Sequence, residues 1–191
     1  NTIANDVSAS VKNVDRGLRT AGAILIEARS KGALTANAAS AAISLSGSGS
    51  NAVAVSAAVT YARNVITTGT HARGTDSSFI TTGTGGDITV AAEASTRIDA
   101  AILAAALAAG VSGSNGVGVG IGAAVAENRI GNWSQSGSGK DTSFALADNG
   151  GTAVEAILSG SSVKAAGALI VAANSSQAIT AKIAAASAAI G

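Results

Sequence analysis

The phrase SGSNAVAV at Ser48–Val55 returns as SGSNGVGV at Ser112–Val119, with the turn residues and valines kept and the alanines replaced by glycines. Sliding the chain against itself by 64 positions (86 − 22 = 64) aligns Gly22–Ile66 with Gly86–Ile130 without a gap. Ile24 falls on Ile88, Asn51 on Asn115, Val53 on Val117, Asn64 on Asn128 and Ile66 on Ile130. Self-similarity at a fixed period restricts a chain to repeat architectures, in which each unit buries its apolar face only against its neighbours.

The repeat continues downstream. Asp76-Ser77-Ser78-Phe79 falls on Asp141-Thr142-Ser143-Phe144, and Gly85-Gly86 on Gly150-Gly151, now offset by 65 (141 − 76 = 65). A third copy opens at Ala168, where Leu169-Ile170-Val171-Ala172 repeats Ile88-Thr89-Val90-Ala91 at an offset of 81 (169 − 88 = 81). On this alignment Thr152–Gly167 is an extra block of sixteen residues (81 − 65 = 16), and its Ser162-Val163-Lys164 echoes Ser10-Val11-Lys12. The repeat units are 22–86, 87–167 and an incomplete 168–191, with polar excursions at 67–86 and 131–151, all within one continuous segment 1–191.

Within the units the period is two. Val117, Val119 and Ile121 alternate with glycine, and similar alternation marks Val53-Ala54-Val55 and Ile24-Leu25-Ile26-Glu27. This is strand patterning. Ala100–Ala109, AAILAAALAA, reads as helix on propensity alone, but its aligned partner ANAASAAISL has no 3.6-residue stripe, which favours a strand. Ser/Gly/Asn turns at Ser46–Asn51, Gly113–Gly116, Gly137–Gly139 and Gly83–Gly86 separate the runs. Hydrophobic residues make up 47% of the chain and aromatic residues only 2%, so the layers must approach closely around a thin core.

These readings predict an all-β parallel β-solenoid, or β-helix, of imperfect repeats of about 64 residues plus inserted coils. At ~20 residues per coil each unit is about three coils, and the chain rises on the order of 45 Å. The expected inward core is Ile24, Ile26, Val53, Val55, Ile88, Val90, Val117, Val119, Ile121, Leu169 and Val171, with the intervening Ala and Gly outward. Asn51/Asn115 and Asn64/Asn128 recur at turn-like positions. There they are either stacked amide ladders or tolerated left-handed turn residues.

The runs SVKAAGALIVAANSSQAITAKIAAASAAIG (Ser162–Gly191) and SGSNGVGVGIGAAVAENRIG (Ser112–Gly131) resemble the repeat modules of very large bacterial haemagglutinin-like, adhesin-type β-strand-repeat proteins. The resemblance implies an extracellular or cell-surface, β-solenoidal, structural or adhesive protein. Some such proteins carry calcium-binding nonapeptides; the nearest approach here, Gly85-Gly86-Asp87, lacks the repeat.

Motifs for chemistry are sparse. The single histidine, His71, sits in THARGTDSS near Arg73 and Asp76, without a nucleophile elbow or metal spacing, and the carboxylates are scattered singly. No enzyme, cofactor or metal is expected, and a polysaccharide-acting β-helix would need clustered acids or bases. TTGT occurs at Thr67–Thr70 and Thr81–Thr84, so Thr68 and Thr82 are candidates for an ice- or glycan-binding array, or simply for polar turns. Trp133, in GNWSQSGSG, either stacks on a sugar or packs on its own chain. Asn132-Trp133-Ser134 and Asn174-Ser175-Ser176 match the glycosylation sequon.

A net charge of +1 gives no electrostatic reason to expect nucleic acid. Mean hydropathy is +0.40, yet the longest uncharged apolar run, Ala100–Val111, is shorter than the ~20 residues of a spanning helix, so membrane insertion is not expected. Asn1 in place of Met, and an end in mid-motif, suggest a fragment of a longer chain. The expected partners are further copies, stacked head to tail or laterally, or continuation of the same polypeptide, with surface glycans as a second class.

Overall fold

The computed structural model describes residues 1–131 and 153–191 in full and, between them, the backbones of 133–136 and 143–146. Regular structure among these residues is all β: β1 (Thr2–Lys12), β2 (Leu18–Thr20), β3 (Ile24–Ser48), β4 (Asn51–Thr75), β5 (Ser78–Thr81), β6 (Ile88–Ser112), β7 (Asn115–Ile130), β8 (Trp133–Ser136), β9 (Ser143–Leu146), β10 (Val154–Ser159), β11 (Ser162–Lys164) and β12 (Leu169–Ile190). AAILAAALAA lies inside β6, paired with β3 on one side and β12 on the other. Alanine's helix preference is a few tenths of a kcal/mol per residue against most strand formers, and two ladders of backbone hydrogen bonds override it.

Three sheets are parallel. β6 is central between β3 and β12; β5 is central between β2 and β11; β4 has β1 along one edge and β7, then β10, along the other. Among the described residues only the β8–β9 pair is antiparallel. The register carries the repeat: Ile24 pairs with Ile88 and Asn51 with Asn115, both 64 apart, and Leu169 pairs with Ile88, 81 apart. The 64-residue spacing is therefore the step between hydrogen-bonded neighbours. The expectation of ~20-residue coils, three to a unit, is wrong. β3, β4 and β6 are each 25 residues long, and three passes span only about 10 Å across the strands.

The extra residues also enter elsewhere than expected. Ile66 pairs with Ile130, offset 64, but Thr70 pairs with Val154, offset 84, so twenty residues (84 − 64 = 20) are interposed between β7 and β10. Within Thr152–Gly167, β10 and β11 are ordinary continuations under β4 and β5, not an added block. Phe79 stands beside Val163 rather than Phe144. The segment 67–86 is mostly paired backbone, in β4 and β5, rather than an excursion. The expected excursion 131–151 lies outside the described residues apart from Gly131 and the backbone pairing of β8 with β9.

β3 turns at Gly49-Ser50 and returns as β4, which faces it across the interior; β6 turns at Gly113-Ser114 and returns as β7. Ser56 Oγ, donating to the Ala42 carbonyl at 2.8 Å, marks this facing. At the end away from these turns, the root, the β2–β5–β11 sheet forms a third side and the interior is wide. It holds Phe79, Ile26, Ile88 and Val90, with Val7, Val154 and Val163 packed against them. Midway it narrows to Leu34, Ile66 and Ile98, and at the turn end, the tip, to Ala58, Ala104 and Ala106.

The narrowing decides which side chains face in. A Cβ on Gly118 would lie 2.6 Å from the Ile190 carbonyl oxygen and 2.7 Å from that of Ala108; one on Gly120 would lie 2.7 Å from that of Ala188. Ordinary contacts need about 3.5 Å, so nothing larger than glycine fits there. The core assignment of Val53, Val55, Val117, Val119 and Ile121 is therefore inverted. Val53 and Val55 are 63% and 60% exposed, Val117, Val119 and Ile121 are exposed too, and Ala52, Ala54 and Ala58 are buried. Ile26, Ile88 and Val90 are buried as expected, with Ile24 packed against them. Leu169 and Val171 share ladders with Ile88 and Val90 but stand on the last strand of the sheet, where they stay half exposed.

Candidate functional site

The asparagines stack. Asn64 Nδ2 donates to Asn128 Oδ1 at 2.8 Å, and Asn1 Nδ2 donates to Asn64 Oδ1 at 2.9 Å, giving a three-residue amide ladder. Asn115 Nδ2 donates to Asn51 Oδ1 at 3.2 Å. A step of 64 residues makes Asn64/Asn128 and Asn51/Asn115 direct neighbours, and a step of 63 does so for Asn1/Asn64. Asn51 and Asn115 flank the tip turns, whereas Asn64 lies wholly buried in mid-strand rather than at a turn.

On the outer face near the root, His71 stands between two carboxylates. Its Nε2 is 3.5 Å from Asp6 Oδ1 and its Nδ1 is 3.3 Å from Glu155 Oε2. Arg73 donates to the same Glu155 oxygen at 2.6 Å. That donation, with a smaller pull from His71, holds the Glu155 carboxyl below its usual range against partial burial. Asp76 instead sits in the turn after β4 with φ 48°. His71 Nδ1 is also 3.1 Å from Arg73 Nη2, and no serine hydroxyl bonds to the ring among the described residues; the ion pair of this group is Arg73–Glu155, a rung from β4 to β10 beside Asp6 of β1. Among the described residues no group of three or more His, Cys, Asp or Glu side chains is placed to hold a metal.

Thr68 and Thr82 do not form an array. Thr68 points inward, 7% exposed, and Thr82 is exposed in a turn with its hydroxyl directed at the Thr20 carbonyl, 3.4 Å away. Thr70 and Thr81 of the same TTGT phrases are buried as well. Thr68 as a ligand contact is thereby corrected: strand parity turns it into the core. The Trp133 side chain, and with it the sequon at 132–134, lies outside the described residues. Asn174 is exposed on β12, paired with Glu93.

The largest feature is one that sequence reasoning missed. Over the tip half, both outer faces carry exposed aliphatic side chains: Ile43, Leu45, Leu103, Leu107 and Val111 on one, and Val53, Val55, Val59, Val119 and Ile121 on the other. The available signal was the absence of charge, since residues 32–62 and 100–126 contain no Asp, Glu, Lys, Arg or His. Charges return from mid-strand toward the root, where Arg97 pairs with Asp99 at 2.5 Å and Arg29 with Glu27 at 2.7 Å. Tyr61, bonded to Glu127 at 2.5 Å, marks the boundary on the second face. Among the described residues no helix is long and apolar enough to cross a membrane.

No protein-family model, curated protein or solved structure matches this chain.

Proposed function

We propose that the chain is a segment of a flattened parallel β-solenoid, serving as a mechanical module of an extracellular or cell-surface filament or adhesin. The observation that carries this reading is the unbroken parallel register of β6 with β3, from Ile24↔Ile88 to Ser48↔Ser112, and with β12, from Leu169↔Ile88 to Ile190↔Ala109. Corresponding positions of the repeat stack on one another, Ile24 on Ile88 and Ala41 on Ala105, along the direction in which such a structure would grow. Each long strand adds its hydrogen bonds in parallel, so pulling one pass from the next must break a whole ladder together. Single bonds are worth only about 0.5–1.5 kcal/mol net, and resistance to load comes from their number.

Among the described residues β3 and β12 are each paired along one edge only, which leaves backbone donors and acceptors for a further pass or a further copy. The partners in this reading are units of the same kind, and the role is structural rather than catalytic. The surface location rests on the resemblance of the repeats to bacterial adhesin-type modules. Cryo-electron microscopy or fibre diffraction tests the reading. Filaments of many stacked passes with a strand spacing of ~4.8 Å along the filament axis are the expected result; discrete compact particles with a helical signal would overturn it.

A further inference from the structure

We propose that the tip half of the outer β3–β6–β12 face is a docking surface for the same face of a second copy of this chain. The inference deepens the filament reading and rests on it, naming the lateral partner of the stack. Three ladders across the sheet define the relief. Ala41–Ala105–Ala186 forms a trough of three alanines, flanked by Ala39–Leu103–Ala184 and Ile43–Leu107–Ala188. Two shallow depressions lie on this face, one beside Leu103 and one beside Leu107. Leu103 and Leu107 are 46% and 36% exposed and stand two rungs apart, about 13 Å. A two-fold-related copy can seat its leucine ridge in this trough while offering its own trough in return, which is the self-complementarity that an isologous contact needs.

The footprint is close to sufficient. From Ala101 to Val111 the face runs about 33 Å along the strands and, counting half a spacing outside each edge strand, about 14 Å across the three, or somewhat under 500 Å² per copy. Two such faces bury on the order of 1,000 Å², the lower bound for a specific interface. Each further pass adds about a third again, so lateral docking strengthens as the stack lengthens. No charge from residues 32–62 or 100–126 opposes the contact, and Lys182 lies at its root end. A lipid bilayer is the less suitable occupant. Each edge strand, β3 and β12, has one unpaired backbone edge among the described residues, which hydrocarbon cannot satisfy but water beside a sheet-on-sheet contact can.

Sedimentation velocity at high protein concentration tests the proposal on the wild type, on Leu103→Lys/Leu107→Lys and, for the opposite face, on Val55→Lys/Val119→Lys. The axial ~4.8 Å spacing is followed in parallel. The expected result is lateral association in the wild type and in the Val55/Val119 variant, and single stacks with the spacing retained in the Leu103/Leu107 variant. The milder Leu107→Ser replaces that variant if it fails to fold. Three results overturn the proposal: association unchanged in the leucine variant; a wild type that stays as single stacks; or binding of the wild type to phosphatidylcholine vesicles in place of self-association. Absence of the axial spacing from the wild type itself would overturn the stacked reading first, and this proposal with it.

Discussion

Asn64 and Asn128 occupy the same place in consecutive passes, and the 2.8 Å bond between their amides runs through the interior beside Ile66. A buried amide is tolerated only where its partner stands directly alongside, so the ladder penalises every slipped register. Asn64→Ala strands the amides on either side and should cost about 1–3 kcal/mol. Urea midpoints measure it. A loss no larger than that of a surface substitution would mean that the ladder does not hold the register.

Glycines 116, 118, 120 and 122 set the separation of the two layers at the tip. Gly118→Ala should destabilise by about 1–3 kcal/mol through overpacking, because its new methyl would press on two carbonyl oxygens. Val119→Thr, one residue on and exposed, should change stability by less than about 0.5 kcal/mol. The opposite ranking would restore the valines to the core.

All-β structure with parallel strands was legible in the sequence, and so was the core at the root. Period-two alternation and the 64-residue self-match gave all-β structure and named Ile24/Ile88 and Asn51/Asn115, which are true ladder partners. Coil length was not legible, because a repeat gives the step between like residues and says nothing of how many bends lie within it. The inward face was legible at the root, where Ile88 and Val90 fill space opened by the third side. It was illegible at the tip. There Val and Ala or Gly alternate, both apolar, and hydrophobicity cannot choose between parities; the close approach of the two backbones does. That same inversion hid the exposed aliphatic faces.

Thr70 is wholly buried and its hydroxyl has no hydrogen-bond partner among the described residues. Ser30, Thr68 and Thr96 contribute further unpartnered buried hydroxyls to the interior. Burying a hydroxyl without a partner costs roughly 1–3 kcal/mol, and valine has nearly the same shape. Thr70→Val should therefore stabilise the fold by on the order of 1 kcal/mol. A destabilised variant would instead indicate that bound water satisfies these hydroxyls, and a high-resolution structure would locate it.

The ion-pair rung at the root predicts a stability loss in acid. Arg73 holds the Glu155 carboxyl below the 4.5 it would have unperturbed, so Glu155 is ionised in both folded and unfolded chains at neutral pH and the pair contributes fully. As the pH falls below about 4.5, the unfolded chain takes up the proton first, and the contribution is lost by the time the folded group is protonated too. Glu155→Gln removes it at every pH. Wild type should exceed the variant in stability at pH 7, and the gap should close below the unperturbed value. Because the Glu155 side chain is 34% exposed, water and salt screen the pair, and the gap should be no more than about 1 kcal/mol and smaller still at high ionic strength. Denaturation midpoints of both proteins across the acid range check this, and parallel curves for the two would show that the rung contributes nothing to stability.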